Sequence, residues 1–595
     1  MTFSLFSTTF TNTNASIDNM LAGSLEFGDY NNDGFIDLYM SGFRNSSLTN
    51  YQSSIYSNSN GTFSLSGIEL PGLCLSTSIW GDYDNDGDLD LFISGYSDFS
   101  NSELYSSILR NDDGVFTEIE SMIVPIRGDS ELIDYDNDGD LDLLTSGYTA
   151  DDHYFVRLYE NDNNNFSDCN IVFPDIDAVD IQAIDINNDS LMDFIITGTD
   201  SLSCNTSVFI NNGGTFDIND IAIMDLCLGS VDWGDYDNDG DADLGISGLE
   251  GIEDDDEAMT RIYQNNEGIL LEIDYDIQGT NYGDIAWGDY DNDGNLDLVV
   301  SGRESNIQPS VPYSAIYRNE NGQFTEETYN IYDLWTSSSQ WCDYDNDGDL
   351  DLAINGRGNS PSPISRLYRN DDTTPNNIPT SPTNLRISEE GEYFKFEWDM
   401  ASDVEQPDVS LTYEVRIGST PGGCEIVSPM ALPDGRALKP AFGRINSNCF
   451  YLIKSSVFAQ DQTYYWSCQA IDNSFTRSPF ATEQAFTYQS VGNNDEYSET
   501  VPLLTIKSVY PNPANLDSPI KIELENSDNN TVSASVYNIR GQVVCEIVQN
   551  EQIADTKAIN WNGTDSIGKP VSNGIYFLKV VAGNETRSQK IMIVK

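Results

Sequence analysis

The feature that most constrains this chain is an acidic nine-residue pattern, D-x-[DN]-x-D-G-x-x-D, that returns seven times. Its first acid falls at Asp29, Asp82, Asp134, Asp185, Asp235, Asp289 and Asp343, in steps of 53, 52, 51, 50, 54 and 54 residues. Each acidic stretch runs into an apolar segment such as "LDLFISG" or "LDLVVSG", then a variable segment, then text like "ILRNDDGVF" (108–116), "VFINNGGTF" (208–216) or "IYRNENGQF" (316–324). One unit therefore reads as four short strands. Four-stranded units of about 50 residues, repeated four to eight times, predict the blades of a β-propeller. Seven units fit one closed ring. Consecutive apolar residues, Leu91, Phe92 and Ile93 or Leu298, Val299 and Val300, are expected where neighbouring blades cover a strand on both faces. The seventh unit stops at "LYRNDDTTPN" (367–376) without its last strand, while "TFSLFSTTF" (2–10) precedes the first unit unpaired. The N-terminal strand is therefore expected to complete the last blade and close the ring.

Within each loop, side chains at positions 1, 3 and 5 converge on one point, and the glycine at 6 supplies a positive φ for the sharp turn. Position 7 can offer its carbonyl, and the acid at 9 closes the shell. Oxygen-only ligation of this kind suits Ca²⁺, with about six or seven sites expected. The ligand sets are Asp29, Asn31, Asp33, Phe35 and Asp37 in the first unit, and Asp82, Asp84, Asp86, Asp88 and Asp90 in the second. The third unit offers Asp134, Asp136, Asp138, Asp140 and Asp142, and the fourth Asp185, Asn187, Asp189, Leu191 and Asp193. Then come Asp235, Asp237, Asp239, Asp241 and Asp243; Asp289, Asp291, Asp293, Asn295 and Asp297; and Asp343, Asp345, Asp347, Asp349 and Asp351. Unit four departs most, with Ser190 in the glycine position, and is expected to be the weakest. The flanks are strand-like, so the loop caps a hairpin instead of joining two helices. Without a cation a close carboxylate pair would repel by up to about 4 kcal/mol in a partly screened site.

The "WGDYDNDGDLDL" units (80–91, and in variants 233–244 and 287–298) resemble the FG-GAP or VCBS repeats of integrin α-chain propellers and many bacterial secreted proteins. The resemblance covers about residues 1–372 and implies a seven-bladed propeller whose Ca²⁺ loops stiffen the blades.

Beyond "DDTTPNNIPTSPT" (371–383) the text changes, and Lys395 is the first lysine of the chain. Residues 373–383 read as a linker. Residues 384–489 alternate apolar and polar between turn signals and predict a β-sandwich. There Trp398, Tyr413 and Trp466 resemble the core aromatics of fibronectin type III domains. A second polar linker, 490–505, leads to residues 506–595. Their blocks "VYPNPANLDSPIKIEL" (509–524), "VYNIRGQVV" (536–544), "WNGTDSIGKPVSNGIYFLKV" (561–580) and "QKIMIVK" (589–595) resemble the C-terminal sorting domain of the type IX secretion system. That resemblance implies recognition by the type IX machinery and delivery to the outer-membrane surface or outside the cell. The whole is expected to be all-β: a seven-bladed propeller followed by two β-sandwich domains.

A net charge of −71, from 98 acidic and 27 basic residues, excludes phosphate-backbone binding, and with it nucleic acid as a partner. No apolar run approaches the roughly 20 residues of a membrane span. The nine cysteines include no CxxC pair, which speaks against a zinc cluster or a dense disulfide scaffold. The start, "MTFSLFSTTF", has neither a basic region nor a continuous apolar core, so it does not read as a secretory signal. A truncated N-terminus is the expectation. His153 is the one histidine, and no nucleophile or phosphate-loop pattern surrounds it. The expected role is a Ca²⁺-stabilised binding or adhesion protein recognising a glycan or a surface protein. The alternative is a Ca²⁺-dependent carbohydrate-active enzyme such as a polysaccharide lyase.

In an antiparallel four-stranded blade, the Ca²⁺ loops and the variable segments after "SG" fall on opposite faces. Arg44, Arg303 and Arg357 each follow the apolar strand in units one, six and seven, which become neighbours when the ring closes. With Tyr51 and Tyr313 for stacking, they form a candidate site for an anionic ligand.

Overall fold

The computed structural model describes residues 10–119, 122–151, 153–162, 164–200, 203–219, 223–251, 257–266, 268–304, 311–360, 362–371 and 374–488, and in the last part 504–510, 514, 519–526, 531–538, 543–552, 555–572, 574–582 and 585–593. Seven four-stranded antiparallel sheets are built, six from one repeat each and the seventh from the last repeat and an N-terminal strand. Blade one runs Leu25–Gly28, Asp37–Phe43, Tyr51–Ser59 and Thr62–Leu65. The first strand of each blade packs against the first strand of the next, and that of blade seven packs against that of blade one. The ring is closed. Blade seven takes its outer strand from the N-terminus, where Thr11 and Asn12 pair with Arg369 and Tyr368. Phe10 packs there against Tyr290, Trp341 and Tyr368; the rest of the expected strand, 2–9, lies outside the described residues.

The apolar second strands are fully covered, with Leu91, Phe92, Ile93, Leu298, Val299 and Val300 all at 0% exposure. The glycine that ends the first strand in four blades, Gly28, Gly81, Gly234 and Gly288, has a packing origin. A Cβ on Gly28 would lie 2.9 Å from Trp80 Cδ1 of the next blade, and one on Gly288 would lie 2.8 Å from Trp341 Cδ1. Glycine therefore lets each indole close the gap between blades.

A two-sheet sandwich follows. Thr383–Glu390, Tyr393–Asp399 and Phe450–Lys454 form one sheet, and Thr412–Gly418, Thr463–Ile471 and Gln484–Thr487 the other. Trp398, Tyr413 and Trp466 are buried in its core. Although 373–383 reads as a linker, propeller and sandwich form one compact unit, Met1–Gln489. Ser490–Lys595 forms a second unit with its own two sheets and its own core, including Ile522, Leu524, Val536, Leu578, Val580 and Ile591. No described helix is long and apolar enough to cross a membrane. Cys204 and Cys227 form a disulfide within the propeller.

Candidate metal centres

Each acidic loop joins the first and second strands of a blade, so all seven lie on one face of the ring. At position 1 both carboxylate oxygens accept backbone N–H groups from positions 5 and 6. Asp82 takes Asp86 at 3.0 Å and Gly87 at 2.9 Å, and Asp289 takes Asp293 at 3.1 Å and Gly294 at 2.8 Å. The residue at position 6 has φ between +68° and +99° in all seven loops. Ser190 holds this conformation at +68° and keeps the bond to Asp185, at 2.7 Å. The loop of unit four is thus built like the others despite its missing glycine.

Carboxylate oxygens converge within 4.8 Å of one another in five loops. They come from Asp82, Asp84 and Asp86; Asp235, Asp237 and Asp239; Asp343, Asp345 and Asp347; and, using position 9, from Asp134, Asp136 and Asp142 and from Asp289, Asp291 and Asp297. Units one and four carry asparagine at position 3, Asn31 and Asn187, whose side-chain oxygens accept from Asp33 and Asp189 N–H at 3.0 Å. The Oδ1 atoms of Asp84, Asp136, Asp237 and Asp345 are buried and meet no protein donor. A carboxylate oxygen buried without a donor beside other carboxylates is costly unless a cation balances it. The donor set therefore fits a hard, oxygen-seeking cation. Burial first, and the neighbouring carboxylates after it, push the acids up: Asp29 to about 6, Asp82 and Asp185 to about 7, and Asp90 and Asp243 to about 9.

Position 7 serves mainly as a joint. Its N–H donates to the position-5 carboxylate, as from Phe35 to Asp33, Asp88 to Asp86, Leu191 to Asp189, Asp241 to Asp239 and Asn295 to Asp293. Position 9 is a strand anchor as well as a loop acid. Asp37, Asp90, Asp142, Asp193, Asp243, Asp297 and Asp351 each accept, at 2.6–2.8 Å, the N–H of an asparagine at or just past the end of the third strand.

Those asparagines (Asn58, Asn111, Asn161, Asn211, Asn265, Asn319 and Asn370) are functional residues that the sequence reading missed. Each Nδ2 donates to the position-8 carbonyl of its own loop and to the position-2 carbonyl of the preceding blade; Asn58, for example, reaches Ile36 at 2.9 Å and Tyr344 of blade seven at 2.6 Å. Asn319 does the same to Leu296 at 3.0 Å and Tyr236 at 2.8 Å. Position 4, also asparagine in every loop, makes a second belt. Asn32 donates to Asp88, Asn85 to Asp140, Asn188 to Asp241, Asn238 and Asn292 to Gly294 and Gly348, and Asn346 to Gly34, which completes the circle. Their signal was present, since both asparagines recur in all seven units.

The loop face is covered by the sandwich. Leu438 O accepts from Asp29 N–H at 2.8 Å, and Asn473 O accepts from Asp289 N–H at 3.1 Å. Ser428 N–H donates to Asn85, Tyr451 to Asp134, Asn446 to the Asp185 carbonyl, and Ser447 to the Gly240 carbonyl. Six of the seven loops are engaged.

On the opposite face the five residues singled out for a ligand have internal partners. Arg44 is exposed and pairs with Asp18. Tyr51 donates to Ser97 O at 3.0 Å, and the hydroxyls of Tyr313 and Tyr317 are 2.7 Å apart. Arg303 is only 7% exposed. Its guanidinium stacks 4.2 Å from the Tyr282 ring and 5.1 Å from the Trp335 ring, with Nε on Asn281. Arg357 lies over Trp335 at 5.1 Å. The structure thus joins Arg303 and Arg357 through Trp335, a residue the sequence reading did not name.

Such a chain defines a closed all-β propeller with repeated acidic loops, carrying a sandwich and a separate C-terminal unit. Residues 29–93 and 82–145 match a family model described as FG-GAP-like repeat, and residues 508–594 match one described as secretion system C-terminal sorting domain. The chain therefore carries FG-GAP-like repeats and a type IX sorting domain, which implies delivery to the cell surface or the extracellular space. No curated protein matches it. Among solved structures it is similar to PorZ, a surface component of the type IX secretion system of Porphyromonas gingivalis, at 11% identity and TM-score 0.22 over 98% of this chain and 82% of that one. A variant of AofleA from Arthrobotrys oligospora is 13% identical at TM-score 0.32, over 55% and 92% of the chains. The exotype rhamnogalacturonan lyase YesX is 9% identical at TM-score 0.31, over 80% and 91%.

Proposed function

We propose that this is a calcium-stabilised binding protein of the cell surface or exterior, which recognises a glycan or a surface protein through the propeller face opposite its loops. The observation that carries this reading is the covering of the loop face by the sandwich, which leaves the other face uncovered by that domain. Recognition surfaces of rigid scaffolds sit where loops vary, and the segments that differ between units lie on that side. The half-buried rings of Tyr282 and Trp335, with Arg357 beside them, offer stacking and positive charge, which suits an anionic sugar or an acidic peptide. Ca²⁺ in the opposite loops, about six or seven ions per chain, holds the scaffold rigid.

The test is a glycan array probed in calcium with the intact chain and with a Trp335→Ala, Arg357→Ala double variant. Loss of array binding is expected in the variant, with the same calcium content. Intact binding retires the face assignment. Fewer than about three ions per chain by elemental analysis, or a melt indifferent to chelator, retires the calcium reading.

A further inference from the structure

In four loops the position-3 aspartate is gripped from outside the candidate metal centre, and the gripping residues fall into two kinds. Asp84 Oδ2 accepts from Asn164 Nδ2 at 3.2 Å, and Asp237 Oδ2 from Gln264 Nε2 at 2.5 Å. Asp136 Oδ2 accepts instead from the Lys454 ammonium at 2.6 Å, and Asp291 Oδ2 from Arg318 Nε at 2.5 Å. In Asp84, Asp136 and Asp237 the other oxygen, Oδ1, is buried and without a protein donor. An outer donor of this sort fixes one oxygen and turns the other inward, as second-shell groups do around metal ligands.

The kind of donor goes with the geometry of the centre. Where it is a neutral amide, the converging carboxylates are those of positions 1, 3 and 5: Asp82, Asp84 and Asp86, or Asp235, Asp237 and Asp239. Where it is a cation, they are those of positions 1, 3 and 9: Asp134, Asp136 and Asp142, or Asp289, Asp291 and Asp297. Arg318 supplies a local reason in unit six, since its Nη2 also reaches Asp293 Oδ2 at 3.3 Å and engages the position-5 acid. In unit three both outer groups come from the sandwich, Lys454 on Asp136 and Tyr451 on Asp134 at 2.9 Å.

We infer that the loops form two classes of cation site, set by these outer donors: tight at loops two and five, where Asn164 and Gln264 orient the ligand without charge, and weak at loops three and six, where Lys454 and Arg318 oppose the incoming dication. The inference rests on the calcium reading above. A fixed positive charge in contact with a ligand carboxylate repels a dication at short range in a poorly screened site, whereas an amide gives the same orientation with no such penalty. Lys454, Arg318, Asn164 and Gln264 are positioning residues, not ligands. Because Lys454 belongs to the sandwich, the affinity of loop three is set by the domain docked upon it.

Calorimetric titration of the full chain with calcium tests this. The wild type is expected to show two classes of site. Lys454→Gln and Arg318→Gln should each move one site from the weak to the tight class, tightening it at least tenfold with the ion count unchanged. Gln264→Arg should do the reverse to one tight site, and it keeps the test open if either of the other variants fails to fold. A wild-type chain that binds several ions in a single class, or variants whose isotherms overlay the wild type, overturns the two-class inference alone. No calcium binding by the wild type overturns the calcium reading beneath it.

Discussion

At Asn319 three hydrogen bonds meet on one fully buried side chain: Nδ2 on Tyr236 O and Leu296 O, and Oδ1 under Gly322 N–H at 2.7 Å. Removing it leaves two carbonyls and an N–H unsatisfied between blades. Asn319→Ala should therefore cost about 2–4 kcal/mol, read from urea unfolding; a loss under about 0.5 kcal/mol would show that the staple is dispensable. Ser190 presents the opposite case. It sits at φ +68° with a buried hydroxyl that meets no partner, so Ser190→Gly should stabilise the chain by about 0.5–1 kcal/mol in the same assay. The asparagine ladders could be read as recurring letters, but their role could not. Side chains that bridge blades pair residues some 80 positions apart, as Asn319 and Tyr236 do.

The loop is the element whose chemistry depends on its surroundings. Burial raises Asp29 from 3.8 to about 6, Asp82 and Asp185 to about 7, and Asp90 and Asp243 to about 9. In chelator, between about pH 4 and these values, the folded loops hold protons that the unfolded chain has released. Stability without metal is thus fullest below about pH 4 and is lost as pH rises through 6 to 9. Metal binding needs the ionised carboxylates, so stabilisation by calcium grows over the same range. Melting temperature should accordingly fall from pH 5 to pH 8 in chelator, and the gap between chelated and calcium-loaded samples should widen. Parallel curves would mean that the loop acids are not linked to folding. Much of the loop was legible in the chain, because alternate acids and a sharp turn are local matters. The partner of each second oxygen was not: Lys454 and Asp136 stand 318 residues apart.

For the whole molecule the decisive boundary lies after the sandwich. Ser490–Lys595 is a separate compact unit, and deleting it should leave the melt of the remainder unchanged while abolishing delivery to the surface. Cutting at residue 372 instead removes the sandwich's hydrogen bonds to six loops and the packing of Met430, Leu432 and Leu438 against the propeller core. That shorter chain should melt several degrees lower than one ending at 489, and equal melts would show that the docked face contributes nothing to stability. The sequence by itself determined the blade count, because the repeats can be counted along the chain, and the strand pattern and acidic loops, because these follow from spacing within a repeat; its motifs also marked the sorting domain. Only the tertiary structure decided which propeller face the sandwich covers, which arginine is stacked away, and which side chain grips the position-3 acid of loops two, three, five and six. These outcomes depend on surfaces brought together from distant parts of the chain, as when Tyr451 reaches Asp134 across 317 residues, and no local pattern encodes such a meeting.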